Sequence, residues 1–588
     1  MNNEIVNNSK IEYKCDFCVF LLTFTTFAAL ATWWPASAHA KTLADAGVLQ
    51  QQLERDKVPA VPLRPLRPSA AADAAPDIAP AKGEPTVVVD AFTFQGNTVL
   101  DDAQLRAAVA HLVGRPLGYA ALQSSADAVA DLYRRRGLVV QAYLPAQDIA
   151  QGEVTVVVME AVFGQAVVVG EPGQRVDPQR VLDLVQHQQA AGAFVQVDAI
   201  ERALLLADEL PGVSVTGNLA PGAQDGQTDL VLQLVDKPFV VGSASLDNTG
   251  SVSTGVVHAS LVLAINSPSG QGDAINLNAM ASEGARYSRV AYSLPLGADG
   301  WRMAVNASYM DYRLVAESYQ SLNASGQSHT AGWELSYPLV RSRSANLSAT
   351  LGGDYKSYTN VSGGATASDY GNDAVSVGLS GNSADALGGG GYNAFSLVAT
   401  SGQLDLSKSP TQAADALTTQ AAGSFDKLRY SLSRQQDLGP ALSLWAAFSG
   451  QWSGKNLDSS EKFYLGGSNG VRAYPSSEGG GALGQMVNLE LRWSLPQGFS
   501  LVGFYDWGAV MANVQNSYTG AAQPNTYALE GAGLALAWRH RSGLNVQATY
   551  ARRVGSNPNP ITTAVNQGYD QDGTLVLDRF WLNATLPL

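Results

Sequence analysis

One glycine-rich stretch of the 588-residue sequence has the spacing of a hydrolase nucleophile. Gly466–Gly470 reads G-G-S-N-G, and Asp506 and His540 follow in the order that the triad takes in α/β-hydrolases. Such a serine must lie on a sharp turn between a strand and a helix. The residues that follow, Val471-Arg472-Ala473-Tyr474-Pro475, have no helical pattern. We therefore expect neither a hydrolase nor another enzyme.

The same stretch carries one arginine, Arg472, for which a carboxylate partner is available. Asp506 lies in Phe504–Gly508, which we predict to be part of a β-strand. Leu501, Tyr505 and Trp507 share one face of that strand, so Asp506 points to the other. A guanidinium can bind a carboxylate through two parallel hydrogen bonds. We predict that Arg472 and Asp506 pair inside a transmembrane β-barrel; a solvated loop arginine is the alternative.

Composition restricts the classes of partner and site. The formal net charge of −14 offers no basic surface to a nucleic acid, so we expect no nucleic-acid partner. We expect no metal and no cofactor, because the six histidines lack the spacing of metal ligands: His39, His111, His187, His258, His329 and His540. The two cysteines, Cys15 and Cys18, precede a predicted cleavage point, so we expect a mature chain without disulfide or thiol nucleophile.

Residues 1–40 have the pattern of an export signal. Lys10 and Lys14 form a basic start, Val19–Leu30 is an apolar core, and Ala38-His39-Ala40 fits the A-x-A cleavage site. We predict cleavage between Ala40 and Lys41; a membrane anchor is the alternative, but the apolar core is short for one. Because no later run of about 18 apolar residues exists, the exported chain should be soluble or a β-barrel.

A short helix and a proline-rich linker are predicted next. In residues 41–57, Leu43, Val48, Leu49 and Leu53 lie roughly on one helical face, so the helix should need a docking surface. Residues 58–85 contain seven prolines and should form a semi-extended linker. A helix on such a tether can occupy one place and leave for another.

Two stretches with the same order of elements follow. Residues 86–161 are predicted to form a β-α-α-β-β unit in which Asp101 and Gln104 make a capping box. Residues 162–237 repeat that order, with Asp177 as N-cap and Pro178 at the first helical position. The repeat predicts two small α/β domains in tandem. A generic α/β binding module is the alternative.

Residues 238–588 alternate between apolar and polar side chains, as in Trp301–Tyr309, Val487–Leu495 and Leu544–Tyr550. The apolar rows carry almost no charge, and no helix-length break interrupts the region. This pattern is typical of an outer-membrane barrel, although a soluble sandwich also alternates. We predict about 16 antiparallel strands that start near residues 239, 256, 273, 287, 301, 329, 345, 375, 392, 425, 442, 485, 500, 527, 543 and 579, with loops at 381–391 and 405–424.

The tandem α/β units resemble POTRA domains. The resemblance rests on Phe94-x-Gly96-Asn97, Tyr133 with Gly137, Gln151-Gly152 and Leu210-Pro211-Gly212-Val213. With the signal, the tethered helix and the barrel, the whole mature chain resembles the two-partner secretion transporters of Gram-negative bacteria. This is the TpsB, or hemolysin secretion/activation, family. In that family, the sequence at the start of the barrel is similar to Leu246-Asp247-Asn248-x-Gly250-Ser251 of this chain.

Two motifs of that family correspond to the arginine and the carboxylate. The inward-loop motif VRGY stands here as Val471, Arg472, Ala473 and Tyr474, and the barrel-wall motif Phe-x-Asp-x-Gly as Phe504, Asp506 and Gly508. Ala473 replaces the usual glycine, so we expect the loop tip to have less access to positive φ. The chain ends in Leu588 rather than an aromatic residue, although Phe580, Leu582, Ala584 and Leu586 keep an outward apolar row.

The resemblance implies an all-β transmembrane barrel of about 16 strands, preceded by two POTRA domains in the periplasm and a helix in the pore. It implies transport, without ATP, of an unfolded exported partner, a TpsA-type adhesin or cytolysin, through the Gram-negative outer membrane. Outer-membrane lipid and the barrel assembly machinery are the other implied partners. An assembly insertase usually carries more POTRA domains, and a diffusion porin would have no use for two binding domains; both remain alternatives.

Overall fold

A computed structural model describes residues 45–55, 85–149, 151–171, 173–562 and 567–588. The signal at 1–40, its cleavage point at Ala40 and Lys41, and all but the last residue of the predicted linker lie outside the described residues. The first described element is helix α1, Ala46–Arg55, within the predicted 41–57. None of the helices in the described part of the chain combines the length and the apolar character that crossing a membrane requires.

The first α/β domain contains β1 (Val87–Val88), β2 (Ala91–Gln95), α2 (Asp102–Val109), a 3-10 turn (Ala110–Leu112), β3 (Pro116–Leu117), α3 (Tyr119–Arg134), β4 (Val140–Tyr143) and β5 (Glu153–Glu160). Its sheet has the order β2-β5-β4. The two helices pack on this sheet, and the core between them includes Leu105, Val129 and Val156. The capping box forms: Gln104 N donates to Asp101 Oδ1 at 2.8 Å, and Gln104 Oε1 accepts from Asp101 N at 3.3 Å.

The second domain repeats this arrangement with β6 (Val162–Val168), α4 (Pro178–Gln188), α5 (Val197–Asp208), β7 (Val213–Pro221) and β8 (Gln227–Asp236). Its sheet has the order β6-β8-β7, with β6 and β8 parallel. Asp177 accepts a hydrogen bond from Gln179 N at 2.9 Å, so the predicted cap forms. Two α/β domains of one design therefore precede the barrel.

The carboxylate of Glu160 joins the end of β5 to helix α3 and to the loop between β2 and α2. Tyr133 Oη donates to Glu160 Oε1 at 2.6 Å, Val99 N donates at 2.8 Å, and Thr98 donates from its backbone N at 2.9 Å and also from its hydroxyl. Burial raises the pKa of the Glu160 carboxyl, but these hydrogen bonds outweigh burial and lower the pKa below its usual value.

This lowered pKa predicts an acid-sensitive first domain. A depressed carboxyl pKa stabilises the fold at neutral pH, and the stabilisation is lost as pH falls through about 4 and below. Hydrogen exchange of the full chain between pH 7 and pH 3 should show protection in β5 and α3 falling with pH. Glu160→Gln should weaken protection at pH 7 and flatten its pH dependence, whereas Glu153→Gln should behave as wild type. An unchanged pH dependence in Glu160→Gln would contradict this role.

A closed barrel of sixteen antiparallel strands follows. Its strands are β9 (Val240–Asp247), β10 (His258–Asn266), β11 (Ala274–Ala281), β12 (Ala285–Leu296), β13 (Trp301–Arg313), β14 (Ser325–Arg341), β15 (Ala345–Ser362), β16 (Ala365–Asp385), β17 (Gly391–Asp405), β18 (Gly423–Asp437), β19 (Leu442–Ser453), β22 (Leu483–Ser494), β23 (Phe499–Met511), β24 (Thr526–Arg539), β25 (Asn545–Arg553) and β28 (Asp578–Pro587). Two small ladders lie in loops: β20 (Phe463–Tyr464) with β21 (Gly480–Gly481), and β26 (Ile561–Thr562) with β27 (Gln567–Tyr569). The predicted sixteen-stranded barrel is confirmed.

The predicted alternation describes the two faces of the wall. On β13, Trp301 and Val305 are 40% and 47% exposed on the outer surface. Ser308 and Met310 are buried towards the lumen. The outward apolar rows therefore form the exposed outer surface of the barrel, and the inward rows are available to hold other parts of the chain.

Two details of the strand prediction are wrong. The predicted loop at 381–391 is too long, because β16 continues to Asp385 and β17 begins at Gly391, so that only residues 386–390 form the turn. Gly381 lies on β16, and an added Cβ there would lie 2.7 Å from the Phe395 ring. A glycine at this position therefore makes room for that aromatic side chain. Strand β16 also begins at Ala365 rather than near 375, because it forms a long hairpin with β15. The stretch between β17 and β18 is a loop, and it contains the short helix α6, Gln412–Leu417.

The second α/β domain packs against the turns at one end of the barrel. Arg180 Nη2 donates to Pro295 O at 2.9 Å, and Gln188 Nε2 donates to Asp299 Oδ1 at 3.2 Å. Arg341, at the end of β14, forms an ion pair with Glu209. We call this the domain end of the barrel and the opposite end the loop end.

Candidate functional site: the inward loop and the lumenal helix

Residues 454–482, between β19 and β22, fold back into the barrel and are called the inward loop. Leu465, Val471 and Tyr474 are fully buried there. Val471 N donates to Leu465 O at 2.7 Å, and Gly467 N donates to Tyr474 O at 3.0 Å, which closes residues 465–474 into a compact turn. This turn fixes the direction in which Arg472 points.

Arg472 binds Asp506 with both arms of its guanidinium. Nε donates to Oδ2 at 2.9 Å and Nη2 donates to Oδ1 at 2.7 Å, and the backbone N of Arg472 also donates to Oδ2, at 3.1 Å. The Asp506 side chain is fully buried. The two residues singled out from the sequence are therefore in contact inside the barrel.

Several further wall residues surround this pair, and the sequence did not identify them. Arg472 Nη1 donates to Glu490 Oε1 at 2.8 Å, and Asn488 Nδ2 donates to Asp506 Oδ1 at 2.8 Å. Trp581 Nε1, on the last strand, donates to the backbone O of Arg472 at 2.8 Å. The inward parity of Asn488 and Glu490 on β22 was visible in the sequence, but nothing there indicated which loop residue they meet.

The three residues of the barrel-wall motif contact the loop in different ways. The Phe504 ring lies under the guanidinium, with its centroid 3.5 Å from Arg472 Cζ. Asp506 supplies the carboxylate. Gly508 leaves room for the loop, because a Cβ there would lie 2.5 Å from Leu465 Cδ2. All three point inward from β23, and together they form the surface on which the turn lies.

The backbone conformation at position 473 does not require a glycine, because Ala473 is not among the residues with positive φ. Its Cβ faces Gly531 on β24, where an added Cβ would lie 2.7 Å away. Beside it, Arg553 Cζ lies 4.4 Å from the centroid of the Tyr474 ring, and Arg553 forms a buried ion pair with Asp570. The alanine is thus accommodated by a glycine across the interface.

Helix α1 lies in the barrel lumen beside the wall formed by β13, β14 and β15. Gln50 is fully buried: its Nε2 donates to Ser308 Oγ at 3.1 Å, and its Oε1 accepts from Ser328 Oγ at 2.9 Å. Ala46 N donates to Asn360 Oδ1 at 2.9 Å. The apolar face of α1 packs on an inward cluster that includes Met310, Tyr358 and Tyr370.

The residues of the hydrolase pattern do not come together as a triad. Ser468 lies in the turn of the inward loop, with no helix directly after it. Asp506 is bound to Arg472, and His540 lies beyond β24, where its Nδ1 is 2.9 Å from Ser542 Oγ. Within the described ranges, no group of acidic, histidine or cysteine side chains could hold a metal ion.

Comparison with known proteins gives family matches for both parts of the chain. The family model for the haemolysin secretion/activation protein ShlB/FhaC/HecB matches residues 226–537, and the model for the POTRA domain, ShlB-type, matches residues 87–161.

Similar proteins and structures agree with these matches. The Heme/hemopexin transporter protein HuxB of Haemophilus influenzae is 26% identical over 76% of the chain and 80% of its own length. The Outer membrane transporter CdiB of Escherichia coli is 26% identical over 81% of the chain and 80% of its own length. The solved structure of CdiB from Escherichia coli superposes with a TM-score of 0.66 at 22% identity, and it covers 93% of the chain and 99% of the CdiB chain.

Proposed function

Because the chain belongs to the haemolysin secretion/activation protein family ShlB/FhaC/HecB, we propose that its exported partner crosses the barrel unfolded, through the space that α1 and the inward loop occupy. The chain is an outer-membrane transporter of two-partner secretion, with its POTRA domains in the periplasm. The domain end of the barrel is therefore the periplasmic end, and the loop end faces the cell surface.

The position of α1 is the observation that carries this proposal. The helix lies inside the lumen, yet its bonds to the wall run through side chains, such as those of Gln50 and Asn360, and not through a shared strand ladder. A segment held in this way can leave without opening the barrel wall. Its departure would provide a path for an extended chain.

The POTRA domains offer a means of binding such a chain. Strand β4 is an edge of the first sheet and β7 is an edge of the second, with Tyr143 and Leu219 exposed on them. An extended segment can add to such an edge as a further strand through main-chain hydrogen bonds. Apolar side chains of the domain beside that edge can then contact every second side chain of the segment. We propose that the partner, an adhesin-like or cytolysin-like protein, is held in this way before it enters the barrel.

The energy for transport should come from the partner. The sequence contains no P-loop, since Gly454-Lys455 is followed by Asn456 without a glycine-rich lead. Folding of the partner at the cell surface would draw the chain outward and prevent its return. The absence of a helix directly after Ser468 supports a transporter without hydrolase activity.

Deleting and then restoring the gene for this chain tests the proposal. We expect one large protein to disappear from the surface and the medium and to return on restoration, while other outer-membrane barrels keep their levels. A general fall in many barrels would instead indicate an assembly insertase. No change in either would indicate a porin-like channel. Either result would contradict dedicated transport.

A further inference from the structure

We propose that Glu461 is a positioning residue that fastens the inward loop to a second part of the barrel wall and thereby holds α1 in the lumen. This inference rests on the proposed function, in which α1 leaves the lumen during transport. It separates two tasks within one loop: Arg472 holds the tip of the loop, and Glu461 holds the turn that supports the helix.

Three wall side chains converge on the Glu461 carboxylate. Lys356 Nζ lies 3.1 Å from Oε1, Asn372 Nδ2 donates to Oε1 at 2.6 Å, and Lys427 Nζ donates to Oε2. Glu461 is only 2% exposed. Its backbone O also accepts a hydrogen bond from Gln451 Nε2, at 3.0 Å. A buried carboxylate with this many donors is a fixed attachment and not a surface ion pair.

The two attachments lie on different strands. Lys356, Asn372 and Lys427 belong to β15, β16 and β18. The partners of Arg472 belong to β22 and β23, with Trp581 on β28. The inward loop therefore spans the lumen between two parts of the wall, and each attachment can be removed without touching the other.

Helix α1 rests on the turn that contains Glu461. A Cβ added to Gly47 would lie 2.9 Å from Ser460 Cβ, so helix and turn are in close contact. Gln51 Nε2 donates to Lys462 O, the residue after Glu461. Asp458 Oδ1 caps the turn by accepting from Ser460 N at 3.0 Å. Displacement of this turn would remove one side of the surface that surrounds α1.

Electrostatics explains why loss of the Glu461 charge should displace the turn. Lys356 and Lys427 both bind the Glu461 carboxylate, which therefore brings two positive charges close together. A third positive charge, Arg429, lies nearby, where its Nε donates to Gln451 Oε1 at 2.7 Å. Without the carboxylate, the buried Lys427 ammonium group would lose its ion-pair partner while it faces the partly buried ammonium group of Lys356. Water would enter to solvate them, and the turn would move away from the wall together with the support for α1.

The test measures how accessible α1 is in the full chain, without a partner protein. Ala46 is fully buried, so Ala46→Cys, in a chain with Cys15→Ser and Cys18→Ser, reports departure of the helix. The purified barrel in lipid vesicles is treated with a polar thiol reagent. We expect Glu461→Gln to raise the labelling rate about tenfold or more, because a buried ion network is broken. Asp506→Asn should change it much less. Glu317→Gln, which alters an exposed carboxylate between β13 and β14, should leave it at the wild-type rate.

Two further variants keep the test informative if Glu461→Gln does not assemble. Lys427→Gln leaves Glu461 paired with Lys356 and should give an intermediate labelling rate. The double variant Glu461→Gln with Lys427→Gln also removes the ammonium group that the lost carboxylate leaves unpaired, so it should label more slowly than Glu461→Gln alone. A protected thiol on α1 in Glu461→Gln, or equal labelling in Glu461→Gln and Asp506→Asn, would overturn the inference. So would a double variant Glu461→Gln with Lys427→Gln that labels as fast as Glu461→Gln. Because no partner is present, failure here is distinguishable from failure of the proposed transport.

Discussion

Arg472→Ala is expected to lower the amount of partner protein at the cell surface about tenfold or more, while the barrel itself remains in the outer membrane. Removing the guanidinium leaves the fully buried Asp506 carboxylate without its charged partner. Loss of one member of a buried pair typically costs about 3–5 kcal/mol. The sixteen-stranded ladder does not depend on this contact, so the cost should appear as displacement of the inward loop and not as loss of the barrel.

The measurement is partner protein at the surface and in the medium, with the amount of heat-modifiable barrel in the outer membrane determined from the same cells. Arg552→Ala is the matched control, because Arg552 on β25 also pairs with an aspartate, Asp578 at 3.6 Å, but its side chain is 64% exposed. It should secrete as wild type. Normal secretion by Arg472→Ala would remove the proposed role of the pair.

Gly531→Ala should also lower secretion, because it should prevent the inward loop from packing against β24. Ala473→Gly in the same chain should restore both the packing and the secretion. The added Cβ on β24 would lie 2.7 Å from the Cβ of Ala473, while its other neighbours, at 3.5 Å, are at ordinary contact distance. Overpacking of this kind costs about 1–3 kcal/mol. Because the collision involves one atom of Ala473, deleting that atom in the double variant should return secretion close to the wild-type level.

Ala473→Gly alone should have little effect on secretion, since the backbone of Ala473 does not have positive φ. Gly503→Ala is the matched control in the neighbouring strand β23. Its added Cβ would lie 3.7 Å from Leu534 Cδ2, an ordinary contact distance. If Gly531→Ala secretes normally, or if Ala473→Gly fails to rescue it, the loop is not seated against β24 as described.

Strand parity made most of the barrel predictable. Because side chains alternate with a period of two, the outward row that contains Tyr505 and Trp507 was enough to place Asp506 in the lumen. The inward direction of Asp506 and the lone loop arginine then suggested their pairing. The loop predicted at 381–391 was too long for a related reason: Gly388, Gly389 and Gly390 do lie in the turn, but Gly381 lies on β16, where it makes room for Phe395 on the adjacent strand.

The loop contacts could not be predicted in the same way, because a loop has no period. Glu461 has no feature in the sequence that connects it with Lys356 and Lys427, which lie on strands far away along the chain. Trp581 appears in the sequence as one residue of the last strand, and only closure of the barrel brings it to the backbone of Arg472. The helix position is similar: the pattern of residues 41–57 indicated that a docking surface is needed, but Ser308 and Ser328 form it only after β13 and β14 pair.

The most direct test of the central claim is a double-mutant cycle on Arg472 and Asp506, with secreted partner per folded barrel as the measured quantity. The set comprises wild type, Arg472→Ala, Asp506→Asn and the double variant. If the two side chains act as one unit, each single variant should lose most of the secretion, and the double variant should lose no more than the worse single. Losses that multiply in the double variant would show that the two residues act separately and would contradict the account.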